Sequence, residues 1–276
     1  MLLVLLPTEL LLQLVMFLEK ETDISSLSRT CIRLYSLLDS LLYRHNAQTS
    51  GSSAILWAAK MGNETTARLS MREGGDINVV DDTGRTPLSY AAAKGFQAVI
   101  ELLIETENLN LDSMDPRGWT PLFWAAENGH EAVVKLLLET RNVSIDPKDF
   151  WGRTPLSMAA QNNHDTVVKL LLNTGKVDMD SRGYWGRTPL SYTAAKGYNT
   201  VVELLIQTDK VNVNSMDPRG WTPLFWAVDN GQAAVVKLLL ETEKVNRDLK
   251  DFWGRTPLSI ANQNGHKAVA ELLSHT

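Results

Sequence analysis

The tripeptide Thr-Pro-Leu occurs six times in this 276-residue chain, and its prolines, Pro87, Pro121, Pro155, Pro189, Pro223 and Pro257, stand 34 residues apart. A fixed period of this size is the signature of a solenoid built from stacked supersecondary units. No other feature of the sequence narrows the possible folds as far. Repeat families differ in period by as little as about one residue, so the chemistry inside the period has to decide between them.

Each unit reads approximately D-x-x-G-x-T-P-L-x-x-A-A-x-x-G-x-x-x-V-V-x-L-L-L. Thr86 and its equivalents suit a helix N-cap, where the hydroxyl accepts a backbone N–H. The proline that follows suits the first helical position, where its missing N–H costs nothing. Gly95, Gly129, Asn163, Gly197, Gly231 and Gly265 come about eight residues later and predict a left-handed helix end. Paired alanines (Ala91 and Ala92, Ala125 and Ala126, Ala159 and Ala160) let helices approach closely. A second helix follows at once, with Val99, Ile100, Leu102, Leu103 and Ile104 as its core in one unit and Val133, Val134, Leu136, Leu137 and Leu138 in the next. Burying each such side chain gains on the order of 1.5–3 kcal/mol. One unit cannot cover both faces of that surface, so units must stack.

The end units differ as caps should. A degenerate unit, 54–80, precedes the six and lacks Thr-Pro, and the last unit carries Asn262 where the others have the second small residue. A longer period lies over the short one. Ser113–Ala125 recurs unchanged as Ser215–Ala227, Lys148–Ser157 as Lys250–Ser259, and Gly84–Tyr90 as Gly186–Tyr192, each displaced by 102 residues. A block of three units is duplicated, so the same surface patch should occur twice.

These residues closely resemble the ankyrin repeat, through the T-P-L-x-x-A-A-x-x-G core. The resemblance implies an all-α ankyrin-repeat solenoid of about seven helix-turn-helix units with hairpin-like loops, spanning 54–276. The family usually has His after Thr-Pro-Leu. Here the position holds Ser89, Phe123, Ser157, Ser191, Phe225 and Ser259, which leaves open the hydrogen bonds that histidine supplies.

Residues 1–47 do not fit the repeat and predict three helices, joined to it by a short polar linker, 48–53. Leu10, Leu11, Leu14, Val15 and Leu18 form an apolar stripe at helical spacing. No Lys or Arg precedes MLLVLL, and Pro7 and Glu9 interrupt the apolar run, which argues against a signal peptide. Forty residues are few for an independent core, so the segment should lean on a partner or on the repeats. Leu6-Pro7-x-Glu9-Leu10, Leu14, Leu18, Asp23-Ile24-x-x-Leu27 and Cys31-x-Arg33-x-Tyr35 resemble the F-box. An F-box followed by ankyrin repeats resembles a family common in filamentous fungi. The resemblance implies that Leu6, Pro7, Glu9, Leu10, Leu14 and Leu18 dock on the Skp-type adaptor of a cullin-RING ubiquitin ligase while the repeats hold a protein substrate. The alternative is a scaffold whose N-terminal helices only cap the solenoid.

The loops before Thr-Pro should form finger-like hairpins, and they are rich in aromatics and arginine: Arg117, Trp119, Phe150, Trp151, Arg153, Tyr184, Trp185, Arg187, Arg219, Trp221, Phe252, Trp253 and Arg255. Such side chains have little core to enter there, and Trp, Tyr and Arg are the types that most often carry interface energy. They are the expected partner-binding residues. The competing expectation is that fingers satisfy one another, each Arg pairing with Asp115, Asp149, Asp217 or Asp251. The concave helix positions are polar and mixed (Glu127, Asn128, Gln161, Asn162, Asp229, Asn230, Asn264 among them) and should set specificity. Trp57, Trp124 and Trp226 lie within helices and predict packing.

No HExxH, paired CxxC, phosphate-binding GxxxxGK or GxSxG pattern is present. His130, His164 and His266 recur with the period, as packing residues do. The reading is a non-enzymatic protein with no cofactor and no metal. A net charge of −5 argues against non-specific nucleic-acid binding. The single cysteine, Cys31, cannot form an internal disulfide and gives no sign of an oxidising compartment. No apolar run approaches the ~18 residues of a membrane span. An intracellular location, cytoplasmic or nuclear, is expected.

Overall fold

The computed structural model describes residues 53–183 and 185–275. The N-terminal segment lies outside the described residues, with its adaptor-docking residues Leu6, Pro7, Glu9, Leu10, Leu14 and Leu18 and with Cys31. So does Tyr184. The described residues hold fourteen helices and no strand, which is the all-α repeat architecture expected from the period. The chain divides into two compact units, with the boundary between Ser113 and Met114.

In the first unit α1 (Ser53–Met61) packs on α2 (Glu64–Arg72) and on α3 (Pro87–Lys94), while α4 (Gln97–Ile104) packs on α2 and α3. The second unit holds five helix pairs: α5 (Pro121–Glu127) with α6 (Glu131–Glu139), α7 (Pro155–Gln161) with α8 (Asp165–Asn173), α9 (Pro189–Lys196) with α10 (Asn199–Ile206), α11 (Pro223–Asp229) with α12 (Ala233–Leu240), and α13 (Pro257–Gln263) with α14 (Lys267–His275). Their first helices stack in one file and their second helices in another. The core runs between the files. Val133, Val134 and Leu137 of α6 and the matching Val201, Val202 and Leu205 of α10 are completely or almost completely buried.

Each Thr of the Thr-Pro pairs caps a helix. The hydroxyls of Thr86, Thr120, Thr154, Thr188 and Thr256 accept the amide three residues on, whereas Thr222 holds the position without that bond. A cap of this kind contributes about 1 kcal/mol. The residue where the ankyrin pattern has His takes three arrangements, and at Ser89 and Ser191 the hydroxyl lies 3.1 Å from the hydroxyl of Thr86 and Thr188. Ser157 and Ser259 accept a hydrogen bond from the Thr154 and Thr256 amides, both at 2.9 Å, and so complete reciprocal capping boxes. Phe123 and Phe225 are fully buried and replace the hydrogen bond by carbon packing.

The first helices end where the sequence predicted. Gly95, Gly129, Asn163, Gly197, Gly231 and Gly265 all have φ between 61° and 77°. At Gly129 and Gly231 a second constraint applies. A Cβ there would lie 2.5 Å and 2.9 Å from Nδ1 of His164 and His266 in the next unit. Each imidazole sits over the glycine, and its Nε2 lies 3.0 Å from the Glu127 carbonyl or 3.1 Å from the Asp229 carbonyl. A carbonyl only accepts, so Nε2 carries the proton. Phe96 covers Gly62 and Gln232 covers Gly197 in the same way.

Trp57 departs from expectation: it is 49% exposed. Ile55, Leu56, Ala58 and Ala59 form the buried stripe of α1, and that spacing turns the position between them outward.

Candidate functional site

The fingers of the second unit are five-residue turns closed around their first residue. In the turn 149–153 the Asp149 amide donates to the Arg153 carbonyl at 2.9 Å and the Gly152 amide to the Asp149 carbonyl at 3.0 Å. The Asp149 side chain then does most of the organising. Its Oδ1 accepts the amides of Trp151 and Arg153, and its Oδ2 accepts the Arg153 guanidinium at 2.7 Å and the Trp119 indole N–H at 3.0 Å. Asp251 repeats the arrangement with Trp253, Arg255 and Trp221. Burial alone would push the Asp251 carboxyl up. The donations from Arg255, Trp221 and Trp253 outweigh it and hold the group below the usual carboxylate range. Asp115 and Asp217 organise the alternate fingers through backbone amides of Arg117, Trp119, Arg219 and Trp221.

This geometry corrects one expectation. Trp119 and Trp221 are not exposed finger tips: they are buried, at 4% and 6% exposure. Each indole N–H reaches into the next finger's carboxylate, and each ring packs on the helix it precedes. Trp119 lies 5.3 Å from Phe123 and 4.5 Å from Trp124; Trp221 lies 6.0 Å from Phe225 and 4.7 Å from Trp226. A donor aimed at a buried carboxylate of another unit cannot be read from a finger's own sequence.

The other predicted residues split by chemistry. Phe150, Trp151, Trp185, Phe252 and Trp253 are exposed, between 40% and 73%. Arg117 and Arg219 are exposed on the alternate fingers. Arg153 and Arg255 are partly buried, locked to Asp149 and Asp251 and lying 4.9 Å and 5.1 Å from the Trp151 and Trp253 rings. Arg187 is partly buried too, and its guanidinium lies 3.3 Å from the centre of the Trp226 ring.

Between the fingers and the first helices of the second unit lies a cleft of about 850 Å³. Trp151, Trp185, Tyr192, Pro218 and Trp226 form its apolar and aromatic walls, and Arg153, Arg187, Arg219, Asp217 and Gln161 its polar ones. Tyr192 and Pro218 were not foreseen, since neither stands out within a single unit. On the concave helix surface Asn162 donates to Glu127 Oε2 at 2.7 Å and Asn264 to Asp229 Oδ1 at 3.0 Å, which ties neighbouring first helices. Burial pushes the Glu127 carboxyl up, against the pull of Asn162, Arg153, His164 and Arg117. Among the described residues no group of three or more His, Cys, Asp or Glu side chains could hold a metal ion, and no helix is long and apolar enough to cross a membrane.

Comparison with known families agrees with the geometry. The model for ankyrin repeats matches residues 31–115, 55–149, 141–217 and 210–276, and the F-box-like model matches residues 3–49. No curated protein matches the chain. Among solved structures it is similar to the crystal structure of the ankyrin repeat domain of Bcl-3, described as a unique member of the IkappaB protein family, with 24% identity and a TM-score of 0.70. The match covers 80% of this chain and 97% of that one. At that identity the likeness shows the fold alone.

Proposed function

Because the chain belongs to the ankyrin-repeat family, with an F-box-like segment ahead of the repeats, we propose that this protein-interaction module is the substrate-recognition subunit of an SCF-type cullin-RING ubiquitin ligase. The carrying observation is the F-box-like match at residues 3–49 directly before the repeats. In this reading the chain has three parts: a docking segment, 1–47; a short junction, 48–53; and the repeats, 54–276. Leu6, Pro7, Glu9, Leu10, Leu14 and Leu18 contact a Skp-type adaptor. The finger row contacts the protein substrate through the exposed aromatics Phe150, Trp151, Trp185, Phe252 and Trp253 and the arginines beside them. The role is non-enzymatic and intracellular.

The test is direct binding of a purified Skp-type adaptor to the full chain. The proposal expects a stable complex, weakened at least about tenfold when Pro7 and Leu10 are both changed to Ala. A wild-type chain that does not bind the adaptor leaves the scaffold reading, in which the N-terminal helices only cap the repeats.

A further inference from the structure

One finger lacks the residue that organises the others. The six fingers begin with Asp81, Asp115, Asp149, Gly183, Asp217 and Asp251. Gly183 also breaks the 102-residue duplication, whose earlier copy has Asp81. The backbone turn survives the loss: the Gly183 amide donates to the Arg187 carbonyl at 3.1 Å and the Gly186 amide to the Gly183 carbonyl. No positive φ calls for glycine at 183, which is absent from the left-handed residues. The substitution has therefore removed a carboxylate and left the backbone alone.

Two donors that such a carboxylate serves elsewhere, the tyrosine of the following helix and the finger's own arginine, are still in place. In the earlier copy Tyr90 donates to Asp81 Oδ2 at 2.6 Å. Its counterpart Tyr192 faces an empty side-chain position, since a Cβ on Gly183 would lie 3.4 Å from Tyr192 Oη and 3.3 Å from Arg153 Cγ. Arg153 and Arg255 each have a carboxylate; no ion pair reaches Arg187 among the described residues. The Nε of Arg187 and the indole Nε1 of Trp226 are buried and have no hydrogen-bond partner, and both residues line the same cleft. A buried donor without an acceptor costs about 1–3 kcal/mol. Burial pulls the Arg187 guanidinium down from its usual pKa and Arg219 adds repulsion, while Tyr192, Asp217 and Asp229 favour the charge. Arginine nevertheless stays protonated, so the cleft holds a permanent cation. Asp217 cannot serve it fully, because its Oδ1 is taken by the Arg219 and Trp221 amides.

We propose that this cleft binds an acidic side chain of the partner protein, whose carboxylate fills the place vacated at Gly183 and accepts from Arg187 and Trp226, while Trp151, Trp185 and Pro218 cover the apolar residues beside it. The inference deepens the proposed function by naming what a substrate presents, and it rests on the reading that the finger row faces the substrate. The charge balance selects the ligand. Three guanidinium groups and one carboxylate line the cleft; Asp149 already pairs Arg153, which leaves Arg187 and Arg219 against Asp217, so an anion gains and a cation loses.

The probe is phenylacetate, an aromatic carboxylate, with neutral phenylacetamide as its control. Both are titrated into the full chain while the Arg187 Nε–H and Trp226 Nε1–H resonances are followed by NMR. The expected result is a saturable shift of both resonances by phenylacetate, with a Kd in the ~1–10 mM range, and binding at least about tenfold weaker for the amide. Gly183→Asp supplies the carboxylate internally and should weaken phenylacetate binding at least about tenfold. Arg187→Gln should do the same without relying on a new side chain. Equal binding of acid and amide overturns the proposal. So does the absence of a saturable shift in that range, or unchanged affinity in a folded Arg187→Gln variant. Adaptor binding by these variants should equal wild type, so loss of the acidic-ligand reading is separable from loss of the ligase reading.

Discussion

The finger 149–153 and the finger 183–187 have the same length, the same closing glycine and arginine, and the same backbone turn, yet they differ in one organising side chain. With Asp149, four donors converge on a buried carboxylate and the finger is complete in itself. With Gly183, the arginine is left against a tryptophan face with a buried N–H unanswered. The aspartate is therefore the internal ligand of these fingers. A finger that keeps it has its arginine paired internally, and the finger that lacks it leaves an arginine N–H for an outside acceptor.

The largest effect is expected at Asp149. Asp149→Ala strands the Trp119 indole and the Arg153 guanidinium, and should cost about 3 kcal/mol in urea unfolding. A loss below about 1 kcal/mol would mean that the carboxylate organises little. Gly183→Asp is the converse. It should add about 1 kcal/mol by pairing Arg187, because the nearest obstacle to the new Cβ is a flexible arginine stem. A destabilised variant would show that Gly183 is needed for room. Asp251 is held below the usual carboxylate range, and the carboxylate that Gly183→Asp introduces into the same setting should be too. For a depressed carboxylate the stabilisation is complete above the unfolded value, about 4, and is lost as pH falls through the folded value. The advantage of Gly183→Asp over wild type should therefore persist at pH 7 and shrink below about pH 4. The smallest effect is expected at Trp253, which is exposed and touches Arg255 only across its ring face. Trp253→Ala should change the unfolding free energy by no more than about 0.5 kcal/mol, while a corresponding Trp151 and Trp253 double variant should lose substrate.

What the sequence disclosed is what each unit settles locally. Thr-Pro at a helix start and glycine at its end act within a few residues, so all six first helices were legible with their boundaries. The burial of Trp119 was not, because its partner Asp149 lies 30 residues on and meets it only in the stack. Trp226 was rightly expected to pack, but its role as the floor under Arg187 depends on the neighbouring finger. Gly183 was passed over, because the unit pattern written with Asp hides the one finger that lacks it. Its meaning needed the positions of Tyr192 and Arg187 around the missing side chain. Trp57 misled because an indole inside a helix suggests a core, and only the stripe formed by its neighbours decides which way it points.

The rings and amides seated over Gly62, Gly129, Gly197 and Gly231 have a consequence for how such a chain can change length. At these four sites the later period supplies the plug and the earlier one the socket. Adding or removing whole periods keeps plug and socket in step, whereas a cut inside a period leaves one half of a joint without its mate. Growth in multiples of the period is thus the change these contacts tolerate, and three periods copied together is one such step.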